Sequence, residues 1–335
     1  MSRNGQPPAS IEAGHQVTDR WYNGLIGGPY HIGKEFDITE PQVEQQLQFT
    51  MRFFQVNVTL SKEETQVLNT GPAAAFRLID SRMQNAYATI GAHMEIGMFL
   101  NGINANYTAN FNGLPEALNN NVTASWDGNT YPTYGTITRG GAVGTVLNSA
   151  PNDVNGTIEY NTLEEEFGNA TFGNLEPNLG VTTVICRSFI KEKFQPQQRF
   201  VDTVDPKIGF RGFLFNGATV IASRYCPGTH LFQSNGTNDP VAVTFMREMS
   251  LGALTAYPAP VGGYPAGTTP SETFFWINAR KPFMNFYMST DPDFGLGFTG
   301  WKPSQGNTKV AGQVLAAVQV TFAPRYHRQM YRITG

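Results

Sequence analysis

One stretch constrains this chain more than any other. Between residues 72 and 101, Phe76, Ile79, Met83, Tyr87, Ile90, Met94 and Met98 recur at spacings of three and four. That period draws one apolar stripe along an α-helix. Arg77, Asp80, Arg82, Gln84, Asn85 and Glu95 fall mostly off it. Pro72 suits a first helical turn and Asn101–Gly102 a stop, so the spacing predicts a helix over 72–101, a rod of about 45 Å. The Met and aromatic stripe is read as core.

The segment before it has a different period. Residues 34–68 read as a β excursion in which Leu47, Phe49, Met51 and Phe53 alternate. The phase then slips by one and resumes as Val56, Val58 and Leu60, the mark of a bulge or bend. Phe36, Asp37 and Ile38 are expected to begin a partner strand. A lone two-stranded ribbon is unstable, so this one must pack on something, another subunit included. Residues 1–33 are polar, aperiodic and rich in Gly and Pro, and read as an extended arm.

Downstream, residues 101–160 are rich in Asn, Thr, Gly and Tyr, which predicts short extended pieces and turns. Residues 161–172 read as a short helix with Thr162 and Glu165 in a capping-box pattern. Gly180–Ile185 reads as a buried strand, followed by a helix that stops before Pro196. Asn216–Gly217 between apolar runs is a hairpin signal. Residues 273–290 are strand-like and aromatic. In 310–322, Val310, Val314, Val318, Val320 and Phe322 share one face of a long strand.

Composition narrows the function. Of 335 residues, 40% are hydrophobic and only 15% charged, so the surface is either uncharged polar or covered by other chains. With Lys plus Arg at 23 against Asp plus Glu at 26, the net charge is −3 and no basic face is visible in the sequence. That disfavours a phosphate-clamping protein but not a wall that encloses nucleic acid. The start of the chain shows no apolar signal segment, and no run of 18 apolar residues exists to span a membrane. Cys186 and Cys226 read as two buried small side chains of a protein kept in a reducing cytosol.

Catalytic patterns are weak. Gly295, Gly297 and Gly300 match a dinucleotide fingerprint literally, but Trp301–Pro303 is a poor helix start, and the segment reads as a Gly-rich turn. His15, His31, His93, His230 and His327 have no metal-ligand spacing, and His93 is expected to be structural. Glu164, Glu165 and Glu166 are explained by a helix dipole, and Asp291 and Asp293 by a turn. No catalytic, cofactor-binding or metal residue is expected, and the chain reads as no enzyme.

Four segments in order resemble the major capsid proteins of tailed bacteriophages with the Hong Kong 97 fold. They are the succession of arm, β excursion and long helix; LEEEFGNAT with EPNLGVTTVICRSFIKEKFQPQQRF (163–200); FRGFLFNGATVIASRYCPG (210–228); and FWINARKPFMNFYMSTDPDFGLGFTGWKPSQ with the closing strand at 310–322. The likeness covers about four fifths of the chain. It implies an α+β Hong Kong 97-like subunit. Its N-terminal arm would occupy 1–33 and its extended loop 34–70. A peripheral domain would take 71–174 and 306–335, with the spine helix at 72–101, and an axial domain 175–305.

The resemblance further implies self-assembly as hexamers and pentamers into an icosahedral head around double-stranded DNA, located in the virion and assembled in a host bacterial cytoplasm. Scaffolding, decoration and portal proteins are implied partners, with no cofactor and no membrane. Some members crosslink through a Lys–Asn isopeptide bond, and Lys34 and Lys62 lie in or beside the β excursion, but no motif here identifies such a pair. Two alternatives stand: an encapsulin-like compartment of the same fold, and a β-rich carbohydrate-binding or tail-spike-type protein.

Overall fold

A computed structural model describes residues 9–11, 16–22, 31–33, 44–61, 63–64, 72–100, 111–127, 129–140, 147–198, 212–229, 272–303 and 308–334. The chain begins with strands β1 (Ala9–Ile11), β2 (Gln16–Tyr22), β3 (Glu44–Thr50) and β4 (Arg52–Ser61), then helix α1 (Pro72–Phe99). There follow α2 (Leu114–Ala117), β5 (Thr133–Tyr134), β6 (Ile137–Thr138), β7 (Asn152–Thr157), α3 (Tyr160–Ala170), β8 (Leu179–Thr182) and α4 (Val184–Gln198). The hairpin β9 (Gly212–Phe215) and β10 (Ala218–Ala222) precedes β11 (Glu272–Ile277), β12 (Met284–Ser289), β13 (Gly295–Phe298) and β14 (Lys302–Pro303). The long β15 (Lys309–Phe322) and β16 (Arg328–Thr334) close the chain.

The first sheet is organised around β15. One edge pairs antiparallel with β4 from Lys309↔Ser61 to Val318↔Arg52. The other edge receives β14, β13 and β12 in succession, and β1 adds parallel to β12. Val314, Val318, Val320 and Phe322 are completely buried, as their alternation predicts, while Val310 is half-buried. From Ala316 onward both faces of β15 are covered, Gln319 and Thr321 included. Alternation therefore describes only the first part of the strand.

The phase slip falls two residues earlier than expected. Leu47, Phe49 and Met51 point inward, and then Phe54, Val56, Val58 and Leu60 do. Phe53 is 53% exposed on the opposite face. The cause is a change of partner at Met51: β3 pairs with β2, whereas β4 pairs with β15. Each half thus has its own register, set by a different neighbour. The expected partner strand at Phe36–Ile38 lies outside the described residues.

α1 spans 28 residues, about 42 Å. Met83, Ala86, Ile90 and Met94 pack inward, with Ile96, Phe99 and Leu100 closing the end. Tyr87, on the predicted stripe, is 37% exposed, because the buried face turns through Ala86 instead. α1 packs along β4, where Arg82 holds both carboxylate oxygens of Glu64 at 2.9 and 2.8 Å and also donates to the Thr59 carbonyl. Its far end reaches the second sheet: the Phe99 and Phe275 rings lie 5.5 Å apart, and Ser223 Oγ donates to Glu95 at 2.6 Å.

That second sheet runs β7-β16-β11-β8-β10-β9. A separate core on one face joins Leu163, Phe167 and Ala170 of α3 and Cys186 and Ile190 of α4 to Phe215, Phe274, Trp276 and Met330 of the strands. Trp276 is its centre, with Phe274 at 4.6 Å and Phe167 edge-on at 5.2 Å. The other face supplies Val181, Phe275, Ile277 and Tyr331 to the main core. The β9–β10 turn is the expected one: Asn216 and Gly217 have φ of 44° and 81°, as a type I′ turn requires.

Four local expectations are corrected. α3 starts at Tyr160 with Glu159 as N-cap and no side-chain cap, so Thr162 is inside the helix and no capping box forms. β8 ends at Thr182 because the Thr183 hydroxyl caps α4 instead, accepting from Cys186 N at 3.0 Å. α4 then runs to Gln198, through Pro196. Last, the glycine fingerprint is largely a strand, not a turn. β13 bulges between Gly295 and Gly297, with Leu296 at φ 65°.

The two β13 glycines are explained by crowding. A Cβ on Gly297 would lie 1.9 Å from the Pro292 carbonyl, and one on Gly295 2.8 Å from that of Ser289. The turn itself is as expected, with Asp291 Oδ1 accepting from Asp293 N at 2.9 Å and Phe294 N at 3.3 Å. Gly297→Ala should therefore destabilise the chain by about 2–3 kcal/mol. Gly168→Ala, exposed in α3 with open space around it, should stabilise it by about 0.5–1 kcal/mol. Urea unfolding of both variants, on unassembled chain, separates crowding from mere loss of glycine.

Candidate assembly surfaces and the buried polar centre

The residues with catalytic potential are dispersed or structural. Among the described residues no three His, Cys, Asp or Glu side chains gather as metal ligands. His31 is exposed and His93 half-buried on α1, while His15 and His230 lie outside the described residues, as do Lys34 and Lys62. Cys186 and Cys226 are buried free thiols, as expected, and burial pushes the Cys186 thiol up to about 12.

Glu164 to Glu166 lie beyond the first turn of α3, so the helix dipole does not account for them. Glu164 accepts from Asn216 Nδ2 at 2.8 Å and steadies the hairpin. Glu166 is buried and accepts from Asn152 Nδ2 at 2.9 Å. Burial raises its pKa, while nearby Arg328 opposes the rise. These carboxylates join α3 to its neighbours.

A continuous polar centre connects the first sheet to the segment after α1. Gln319 of β15 donates to the Thr50 carbonyl at 3.1 Å and to Asn112 Oδ1 at 2.8 Å. Asn112 Nδ2 in turn donates to both oxygens of Glu116, at 2.8 and 3.0 Å. Glu116 is completely buried, and burial raises its pKa to about 7 despite the pull of Asn112, Arg139 and Arg52. Arg139, itself buried, donates to the carbonyls of Glu116, Ala117, Asn119 and Leu147. One guanidinium thus satisfies the C-terminal carbonyls of α2 and ties them to residue 147. No pattern in the sequence marked these residues, because their partners come from five separate segments.

His327 is another buried titratable group. Its Nδ1 accepts from Asn278 N at 3.1 Å, and this leaves the proton on Nε2, which lies 3.0 Å from the Phe283 carbonyl. Burial lowers its pKa to about 4.

The outer surface carries apolar residues that a monomer leaves in water. Leu214 is 73% exposed on β9, the end strand of the second sheet among the described residues. Phe53 and Phe294 form an exposed edge-to-face pair at 5.7 Å. Val184 and Tyr160 are 51% and 43% exposed. Unprotected apolar edges of this kind suit contact with another chain.

Two predictions follow from the buried groups. Arg139→Met leaves buried carbonyls unsatisfied and Glu116 with Arg52 as its remaining named counter-charge, and should cost about 3–5 kcal/mol in a denaturant titration. The pH dependences oppose each other. The unfolded state holds more protons at the histidine between pH 6.5 and about 4, so His327 makes stability fall as pH drops through that window. The folded state holds more at Glu116 between 4.5 and about 7, so this group makes stability fall as pH rises. His327→Gln should tilt the stability–pH profile toward acid, and Glu116→Gln toward neutral pH. Parallel profiles for wild type and both variants would contradict this.

No family model and no curated protein matches the sequence. Solved structures do match. The chain aligns over 97% of its length with 84% of a chain of the holo-SrpI encapsulin complex from Synechococcus elongatus PCC 7942, at 7% identity and a TM-score of 0.55. The capsid of an empty GTA particle matches with 97% and 87% coverage, 10% identity and a TM-score of 0.54. The capsid of cyanophage A-1(L) matches with 98% and 91% coverage, 11% identity and a TM-score of 0.53. Along nearly its whole length, this chain has the fold shared by phage-capsid and encapsulin shell proteins.

Proposed function

We propose that the chain is the major capsid protein of a tailed bacteriophage, assembling with copies of itself into a closed icosahedral shell around double-stranded DNA. The observation that carries this is the whole-length fold likeness to capsid chains. Exposed Leu214, Phe53, Phe294 and Val184 support it, since repeated contacts would cover them. In this reading the shell is made of hexamers and pentamers. Residues 1–33 form the arm, 34–70 the extended loop, 71–174 and 306–335 the peripheral domain, and 175–305 the axial domain. Scaffolding, decoration and portal proteins are the expected partners, and no catalytic role is assigned to any residue.

A second reading has its own observation. The encapsulin chain matches as well as the capsid chains do, so a compartment that loads protein cargo is the alternative. Nucleic acid inside purified particles favours the first reading, and a copurifying enzyme the second.

Electron microscopy with sedimentation on the chain expressed alone is the test. Closed shells or rings of five and six are expected. A monomer that persists at high concentration with scaffold and decoration partners present would overturn the shell reading. Leu214→Ser should leave monomer stability within about 0.5 kcal/mol yet reduce the assembled fraction in the same sedimentation run.

A further inference from the structure

The fold brings three turns together that are far apart in sequence. The first is at Phe172–Leu175; three residues on, Asn178 Oδ1 accepts at 2.7 Å from the N–H of Ala279, which immediately precedes the second. The second, Arg280–Phe283, is joined to the third by the Phe283 and Tyr326 rings at 4.2 Å and by Ala323 N donating to the Phe283 carbonyl at 2.8 Å. The third, Pro324–Tyr326, returns to the first: Tyr326 meets Phe172 edge-on at 6.1 Å, and the Arg325 guanidinium lies 3.9 Å over the Phe172 ring. The contacts close a triangle.

Arg280, Lys281 and Arg325 are exposed on this triangle, and among the described residues none makes an ion pair. The opposing charges are few. Glu176 is exposed next to the first turn, and Glu166 is buried beneath and faces Arg328, which turns inward to the Asn169 carbonyl. Among the described residues the three turns thus carry three exposed cations with exposed Glu176 beside them, on a chain whose net charge is −3. The Arg325 guanidinium carbon lies against the Phe172 ring while the residue stays exposed, and a guanidinium presented to solvent can grip phosphate oxygens in pairs.

We propose that this triangle of turns, through Arg280, Lys281 and Arg325, binds the phosphate backbone of a double-stranded nucleic acid. The partner is chosen by charge and by the stacked guanidinium. Phosphate contacts carry no base information, so the proposed contact is independent of sequence. The inference deepens the shell reading, which supplies the enclosed duplex, and it assigns the contact to particular residues. The cations are split between residues 280–281 and 325, so no basic run marks them in the sequence.

The test is fluorescence anisotropy of a labelled duplex of about 20 base pairs with full-length protein, titrated from about 50 to 200 mM salt. Arg280→Gln/Lys281→Gln/Arg325→Gln should weaken binding and reduce the magnitude of the log–log salt slope by about 2–3, near 0.9 per phosphate contact. Arg325→Lys should weaken binding with the slope retained. Lys191→Gln/Lys193→Gln on α4 should leave the slope unchanged. If the triple variant does not fold, Lys281→Gln alone should remove about one unit of slope.

Wild-type binding by the triple variant, or an equal loss in the α4 control, overturns the proposal. So does a triple variant that binds duplex normally but no longer self-associates, which would make the patch a docking site for an acidic face of a second copy. Binding is read on unassembled chain as well as on shells, so failure here leaves the shell reading standing, and failure to form shells leaves the duplex result standing.

Discussion

The rest of the structure depends on the antiparallel pairing of β15 with β4. β15 lies late in the chain and β4 early, so this ladder joins distant parts of the sequence. Its inner face presents Val314, Ala316, Val318 and Val320 to the main core, beside Val58 and the buried residues of α1. Because β15 has two edges, the same strand also collects β12, β13 and β14. Remove β15 and four strands lose a partner while α1 loses the sheet beneath it.

α1 carries that order outward. It lies on β4 along its length and ends against the second sheet, where Phe99 meets Phe275 and Glu95 holds Ser223. The polar centre does the same on the other side, joining β15 to α2 through Gln319, Asn112, Glu116 and Arg139. Buried charge here specifies where the 111–147 segment sits. Its satisfied hydrogen bonds, more than its Coulomb energy, account for its tolerance in the core.

Much of the fold was legible because it rests on local periods. The α1 stripe, the alternation in β15 and the Asn216–Gly217 turn depend on residues near one another, and each formed close to where its pattern places it. Two of the errors share one cause. Phe53 faces outward because β4 takes its register from β15, and Tyr87 is exposed because the sheet under α1 meets Ala86. In each case a distant partner overrode a local preference.

By itself the sequence determined the long helix, the closing strand, the Asn216–Gly217 turn and an ordered set of segments resembling a shell subunit. Helical and strand periods and turn chemistry are set by covalent geometry over a few residues. Only the tertiary structure decided which strands share a sheet and which faces are buried. It also decided that Asn112, Glu116, Arg139 and Gln319 form one network, and that the turn carrying Arg280 and Lys281 is joined through Phe283 and Tyr326 to the turn carrying Arg325. Those groupings are made by contacts between residues up to hundreds of positions apart, and no local pattern encodes which distant surface a side chain will meet.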